Sequence, residues 1–175
     1  MTPAQAISLI DNNYIRSLSH PTRWADLGCG SGLFTRALAD LLQPKSTIYA
    51  IDRERSLKKQ TTRNEIEIRP LELDFVKDEL DLQGLDGFLM ANSLHYVKDQ
   101  PGLLRKLKAA LLPAHAFLIV EYDMDQPIPV WVPYPVSFTA LESLFHAAGY
   151  QTIEKLAETP SRFGRANLYS ALILM

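Results

Sequence analysis

Cysteine is nearly absent from this chain of 175 residues: Cys29 stands alone. One thiol cannot close an internal disulfide, so a stapled secreted scaffold is excluded and a cytoplasmic setting is expected. Long apolar runs are missing too. None is long enough to cross a bilayer, and the first residues hold neither a basic stretch nor a signal-type apolar core, so no membrane partner is expected. There is no excess of one charge: 18 Lys and Arg stand against 20 Asp and Glu, a formal net charge of −2. That balance gives no electrostatic reason to expect a nucleic-acid backbone as partner. Four histidines are scattered without metal-ligand spacing, so no metal is expected. Repeats, low-complexity tracts and linkers are not visible. What remains is an ordinary globular composition, 47% hydrophobic, at a length suited to one α/β core.

Glycine is also scarce, eight in all, yet three fall together at Gly28, Gly30 and Gly32. They follow Trp24-Ala25-Asp26-Leu27, a short buried-type strand carrying a carboxylate, and precede an apolar-periodic helix that begins at Leu33. Without a Cβ, glycine takes positive φ and lets a ligand approach the main chain. Such a turn at the carboxyl end of a strand is shaped for a small molecule. The spacing is G-x-G-x-G. Leu33 stands where a dinucleotide fingerprint needs its third glycine, which speaks against NAD or FAD. The plain alternative is a tight strand-to-helix turn with no ligand.

Later apolar runs end in polar groups on the same rim. Asp52 closes Ile48-Tyr49-Ala50-Ile51, about twenty residues beyond the turn, and is placed to accept both hydroxyls of a ribose. Asp74 and Phe75 close the run from Ile68 to Leu73. A carboxylate accepts from an exocyclic adenine amine, and an aromatic edge covers the base. After Gly87-Phe88-Leu89-Met90-Ala91 come Asn92-Ser93-Leu94-His95-Tyr96. Any one Asp by itself is more simply a cap or turn residue; the ordered succession after a glycine turn points to a site.

These residues resemble the motifs of the class I S-adenosylmethionine-dependent methyltransferases, in their small single-domain form. Asp26-Leu27-Gly28-Cys29-Gly30-Ser31-Gly32 resembles the family's first motif. Asp52 matches the acid after the second strand, Asp74-Phe75 the position after the third, and Asn92-Ser93-Leu94-His95 the segment after the fourth. The resemblance implies a doubly wound, Rossmann-like α/β sheet, mostly parallel, with helices on both faces and an antiparallel C-terminal hairpin. It implies one methyltransferase domain over residues 1–175, with S-adenosyl-L-methionine as cofactor and S-adenosyl-L-homocysteine as product. Cofactor contacts are expected from Asp26, Gly28, Cys29, Gly30, Gly32, Asp52, Arg53, Asp74, Phe75, Asn92 and Ser93, with Asp26 holding the ammonium group. Arg53 departs from the family pattern, in which an apolar residue often lies against adenine. Its guanidinium either stacks on the base or points into solvent.

The opening Thr2-Pro3-Ala4-Gln5 reads as a capping box with proline at the first helical position. Ile7, Ile10, Tyr14 and Leu18 recur at helical spacing, which predicts one helix over residues 3–18. In the family such a helix often closes over the cofactor, so residues 1–20 are expected to cover it. Tyr14 then either reaches the site or belongs to the packing stripe. Further helices are predicted from Leu33 to Leu42, just after Asp52 (short and polar), over 100–112 and over 138–148. Strands are predicted at 116–120, 152–156 and 168–174. Strands alternating with helices imply a parallel sheet, and the two late strands an antiparallel hairpin at its edge.

Methyl transfer is an in-line displacement, so positioning supplies most of the catalysis. A base helps only when the nucleophile starts protonated, and His95 is the candidate. Glu121 and Asp123, after the fifth strand, are candidate rim carboxylates facing the substrate, or caps of the loop that follows. The proline-stiffened segment 124–136 is expected on the substrate side with Trp131 and Tyr134 as walls, or as a rigid cover of the core edge. Arg162 and Arg165, flanking Phe163, are candidates for an anionic group, or are solvated. The expected function is O- or N-methylation of a small-molecule acceptor, with nucleic acid, membrane and metal not expected and the oligomeric state open. A non-catalytic module that binds S-adenosylmethionine, and a methyltransferase acting on a macromolecule through a partner, are the alternatives. A dehydrogenase is a third class, disfavoured by Leu33.

Overall fold

The computed structural model describes residues 1–54, 57–161 and 166–175. Along the chain run α1 (Pro3–Ile10), α2 (Asn13–Ser17), β1 (Arg23–Leu27), α3 (Leu33–Ala39), β2 (Thr47–Asp52), β3 (Gln60–Thr61) and β4 (Glu67–Glu72). Then follow β5 (Leu85–Ala91), a 3₁₀ turn at Leu94–Tyr96, α4 (Gln100–Lys108), β6 (Leu111–Tyr122), α5 (Phe138–Ala147), β7 (Thr152–Pro160) and β8 (Asn167–Leu174).

Four of the five residues of β1 are buried, as in a strand covered on both faces. The described strands form one sheet in the order β3-β4-β2-β1-β5-β6-β8-β7. From β4 to β6 the pairing is parallel, while β8 runs antiparallel to both β6 and β7, and β3 to β4. The chain winds outward from β1 through β2 to β4, then returns to place β5 on the other side of β1. That reversal opens a crevice beyond the carboxyl ends of β1 and β5.

Each face of the sheet carries its own core. Trp24, Ile48, Ala50, Leu89 and Leu118 pack with α1 and α3 on one face. Phe88, Met90, Phe117, Ile119 and Tyr169 pack with α4 and α5 on the other. The wide indole of Trp24 needs a neighbour without a side chain. A Cβ at Gly87 would stand 2.5 Å from both its ring and the Ala116 carbonyl oxygen.

The predicted α/β architecture holds, with local corrections. The helix expected over residues 3–18 is two helices. Its capping box forms, the Gln5 amide donating to Thr2 Oγ1 and the Thr2 amide to Gln5 Oε1. At Asn12, however, Nδ2 donates to the Ile10 carbonyl and Oδ1 accepts from the Ile15 amide, so side-chain bonds replace the helical ladder. The short helix expected just after Asp52 falls partly on residues 55 and 56, outside the described residues; Arg53 and Glu54 form a bend, and residues 57–59 are not helical. Helix α3 ends at Ala39 and α4 at Lys108, because Leu111 already belongs to β6, a strand of 12 residues. Helix α5 opens on the Ser137 hydroxyl, which accepts from the Ala140 amide, and closes before Gly149 at φ 94°. The late hairpin forms, but β8 lies inside the sheet and β7 is the edge. No helix among the described residues is long and apolar enough to cross a membrane.

Candidate cofactor and active site

The glycine turn occupies the mouth of the crevice. Gly28, Gly30 and Gly32 have φ of 78°, 49° and 79°, the left-handed region that other residues enter at a cost. The Gly28 and Cys29 amides both donate to the Ile51 carbonyl (2.8 and 3.0 Å), and the Gly30 amide donates to Asp52 Oδ2 (2.8 Å). The turn is therefore tied to β2 and to Asp52 directly. A Cβ on Gly28 would come 2.6 Å from the Cβ of Ser93, so the two walls of the crevice meet only over glycine. Cys29 is half-buried. Burial, and then the carboxylates of Asp26 and Asp52, push its thiol up to about 12, which keeps it protonated and unreactive.

Asp26, in β1, is 1% exposed. Its Oδ2 accepts from the Thr35 hydroxyl (2.5 Å), while Oδ1 has no partner. Burial pushes the carboxyl up to about 7; the Thr35 hydrogen bond opposes the shift and the Asp52 charge adds to it. A buried acceptor without a donor costs roughly 1–3 kcal/mol, and more if charged. An incoming ammonium group would relieve that cost.

Beside the turn lies a cavity of about 350 Å³ that brings together Gly28, Asp52, Arg53, Asp74, Phe75, Asn92 and Ser93. Asp52 spends Oδ2 on Gly30 and Oδ1 on the Glu54 amide. Asp74 Oδ1 accepts from the Val76 and Lys77 amides, so Asp74 also caps its own turn. Burial raises its carboxyl, but those amides and the charges of Lys77 and Arg53 outweigh burial and hold it below the ordinary value. Phe75 is buried at the cavity wall, and Arg53 is exposed at its edge. Val76, Lys77 and Tyr96 also line this cavity and were not expected. No periodicity or motif marks them; only their place beside rim residues could have.

Behind the Asn92-Ser93 turn, His95 and Glu121 form a buried pair. Glu121 is not on the rim. It is 1% exposed, its Oε1 accepts from the Leu94 and His95 amides, and its Oε2 lies 2.5 Å from His95 Nδ1. With both oxygens engaged it has none left for a substrate, which corrects its placement as a substrate-side carboxylate. A carboxylate only accepts, so Nδ1 carries the proton and Nε2 keeps the lone pair. That Nε2 is buried and without a partner. The ring sits between Tyr96 (4.3 Å between centroids) and Tyr122 (6.1 Å). Asp123 reads as a cap: it accepts from the Phe138 amide and pairs with Lys155.

A second cavity, of about 550 Å³, lies between α1, the start of α3, Tyr122 and the β7–β8 hairpin, and Asn92 lines both cavities. Residues at the start of the chain wall this second cavity and not the one beside the glycine turn where they were expected, and Tyr14 walls neither. Because the helix breaks at Asn12, Tyr14 packs against the α1–α3 core near Asp86, at the amino end of β5, away from the glycine turn. Burial and then that carboxylate raise its hydroxyl pKa. Trp131 packs edge-on to Tyr122 (6.5 Å) beside a small pocket. Tyr134 is 39% exposed; its amide donates to the His95 carbonyl, so its backbone rather than its ring meets the site. Arg162, Phe163 and Arg165 lie outside the described residues. Among the described residues no group of three or more His, Cys, Asp or Glu is arranged to hold a metal ion.

Residues 25–114 match the model of a family described as a methyltransferase domain. No curated protein matches the chain significantly. Solved structures share its fold. One is a SAM-dependent methyltransferase from Aquifex aeolicus, 16% identical, with 99% of this chain and 98% of that one covered at a TM-score of 0.64. Another is the 1,6-didemethyltoxoflavin-N1-methyltransferase of Burkholderia thailandensis with bound 1,6-didemethyltoxoflavin and S-adenosylhomocysteine, 17% identical, covering 98% and 77% at 0.71. A third is the mitomycin 7-O-methyltransferase, 19% identical, covering 97% of this chain and 53% of that one at 0.62. The matched segment runs from the glycine turn's own strand into β6, and the chain belongs to the methyltransferase-domain family, the S-adenosylmethionine-dependent enzymes of class I fold.

Proposed function

We propose that the chain transfers a methyl group from S-adenosylmethionine to an oxygen or nitrogen of a small-molecule acceptor. The observation that carries this is the junction of two cavities at Asn92. One has the carboxylates and aromatic edge that suit adenosine; the other is mostly apolar and of small-molecule size. Two proteins of the same fold are a 1,6-didemethyltoxoflavin-N1-methyltransferase and a mitomycin 7-O-methyltransferase, which supports a small acceptor.

The residues present fit the cofactor. Asp26 Oδ1, lacking a donor, takes the ammonium group. Asp52 accepts from the ribose hydroxyls, Asp74 from the adenine amine, and Phe75 lies against the base with Arg53 at the outer edge. Gly28, Cys29, Gly30 and Gly32 present main chain to the aminoacyl part, and Asn92 and Ser93 close the opposite wall. When bound, S-adenosylmethionine supplies an electrophilic methyl group on a sulfonium sulfur that keeps the bonding electron pair as the methyl leaves. The chain's own part is alignment, which contributes up to ~7–11 kcal/mol in favourable reactions. His95 is the base of this reading, although its buried ring lines neither cavity: Nε2 takes the acceptor's proton once the acceptor reaches it, and Glu121 fixes the tautomer and balances the charge that the ring gains.

Calorimetric titration of the purified protein tests the cofactor. S-adenosylmethionine and S-adenosylhomocysteine should bind and NAD should not. Silence from all three overturns the assignment and favours a module working through a partner.

A further inference from the structure

The larger cavity says what kind of acceptor it takes. Its volume, about 550 Å³, falls within the roughly 300–1,000 Å³ of small-molecule sites. Leu9, Leu33, Phe34, Tyr122 and Leu168 give it apolar walls. The only charged side chain among its described lining residues is Glu158, and both of its oxygens are engaged: Oε1 accepts from Asn167 and Oε2 pairs with Lys155. The Met1 α-ammonium also lines the cavity, so an anionic acceptor has a described counter-charge there; a cationic acceptor has none, and burying an unpaired charge is costly.

Among the buried polar atoms without a partner, one belongs to a residue that borders both cavities. Asn92 Oδ1 is buried without a hydrogen-bond partner, on the residue that walls both cavities. Asn92 also stands at φ 54°, a conformation that asparagine tolerates better than most residues. Its carbonyl oxygen is an acceptor only, so the group that satisfies it must donate. Ser170, one alternate position beyond Leu168 on the same face of β8, carries a second buried hydroxyl without a partner.

We infer that the acceptor is a non-cationic molecule with an N–H or O–H beside its nucleophilic atom that donates to Asn92 Oδ1, making Asn92 the specificity-determining residue. The inference rests on the methyl-transfer assignment above. Asn92 holds that hydrogen-bearing atom at the border with the cofactor cavity, and a cavity without a free described carboxylate selects against ammonium groups.

The test uses the full chain saturated with S-adenosylhomocysteine and titrated with three matched probes: 2-naphthol, 2-naphthoate and a naphthylmethylammonium ion. 2-Naphthol should bind, 2-naphthoate is permitted by the Met1 ammonium, and the naphthylmethylammonium ion should bind at least about tenfold more weakly. Leu168→Trp, which fills the cavity, and Asn92→Gly, which removes the amide without straining φ, should each weaken 2-naphthol by about tenfold, the loss of one buried hydrogen bond or its equivalent in contact. S-adenosylhomocysteine affinity of the Leu168→Trp variant should stay unchanged. Preference for the ammonium ion, no binding of 2-naphthol, or indifference of its affinity to Leu168→Trp overturns the inference while leaving the cofactor assignment intact. Failure of S-adenosylhomocysteine itself to bind brings down the assignment on which the inference rests.

Discussion

At the scale of single residues, three buried side chains carry testable chemistry. The Asp26 carboxyl is raised from an ordinary 3.8 to about 7, chiefly by burial. The folded, ligand-free protein therefore holds this proton more tightly than the unfolded chain. The resulting stability is present in full below about pH 3.8 and is lost as pH rises toward about 7. Asp26→Asn should remove this dependence, read as urea midpoints across that window. Binding runs the other way: an ammonium group needs the carboxylate, so S-adenosylhomocysteine should bind more tightly as pH rises through about 7. The same affinity on both sides would take Asp26 out of the ammonium site. His95→Ala should lower kcat by ~10²–10⁴-fold with little change in cofactor affinity. Unchanged turnover would end its role as base. Glu121→Gln, which leaves a neutral partner at Nδ1, should shift the acid limb of the kcat–pH profile as well as lower kcat. A purely structural role would change stability alone.

These residues were only partly legible beforehand. Asp26, Asp52 and Asp74 follow apolar runs, and the glycine spacing is local, so nearest neighbours in the chain sufficed to place them. Glu121 also follows an apolar run, but its partner is 26 positions away. Whether such a carboxylate faces solvent or a histidine depends on how two neighbouring strands end, which no local pattern records. The orphaned atoms of Asn92 and Ser170 are likewise products of packing.

At the scale of elements, periodicity located the helices and strands but overran their ends. The stripe Ile7, Ile10, Tyr14 and Leu18 continues past residue 11, yet Asn12 caps a new helix and turns Tyr14 away from the site. Residues 124–136 show another local conflict. Ile128 and Val132 bridge, and the turn between them sets Val130 at φ 71° with 92% of its surface exposed. Proline at the second position and a left-handed third residue describe a type II turn, whose third place favours glycine or asparagine. A β-branched residue there is strained by on the order of 1–2 kcal/mol. Val130→Asn should accordingly raise stability by about 1 kcal/mol, since almost no packing is lost. A lower urea midpoint in the variant would show that the valine is held by contacts beyond its own turn.

At the scale of the whole molecule, the two cavities lie on one rim and share Asn92, so cofactor and acceptor are held by elements drawn from all along the sheet. A ligand that binds only the folded chain stabilises it by about 2.7 kcal/mol at a hundredfold excess over Kd. S-adenosylhomocysteine should therefore raise the midpoint of thermal unfolding by roughly 5–10 °C for a chain of this length. NAD should leave it unmoved. An equal rise with NAD would return the chain to the dinucleotide-binding class that Leu33 argued against.

Strand β8 has a bearing on how the protein is made. It follows every other strand in chain order, yet it sits between β6 and β7 and pairs with both. A ribosome that has released residues up to 160 has already synthesised β6 and β7; β6 can pair with β5, but its other edge and the whole of β7 lack the strand that joins them. During that interval the apolar edge of β6 is an open template for pairing with other chains. Protection falls to the nascent chain's surroundings until residues 167–174 emerge. Chains stalled within β7 should collect in aggregates, whereas those released past β8 close on their own.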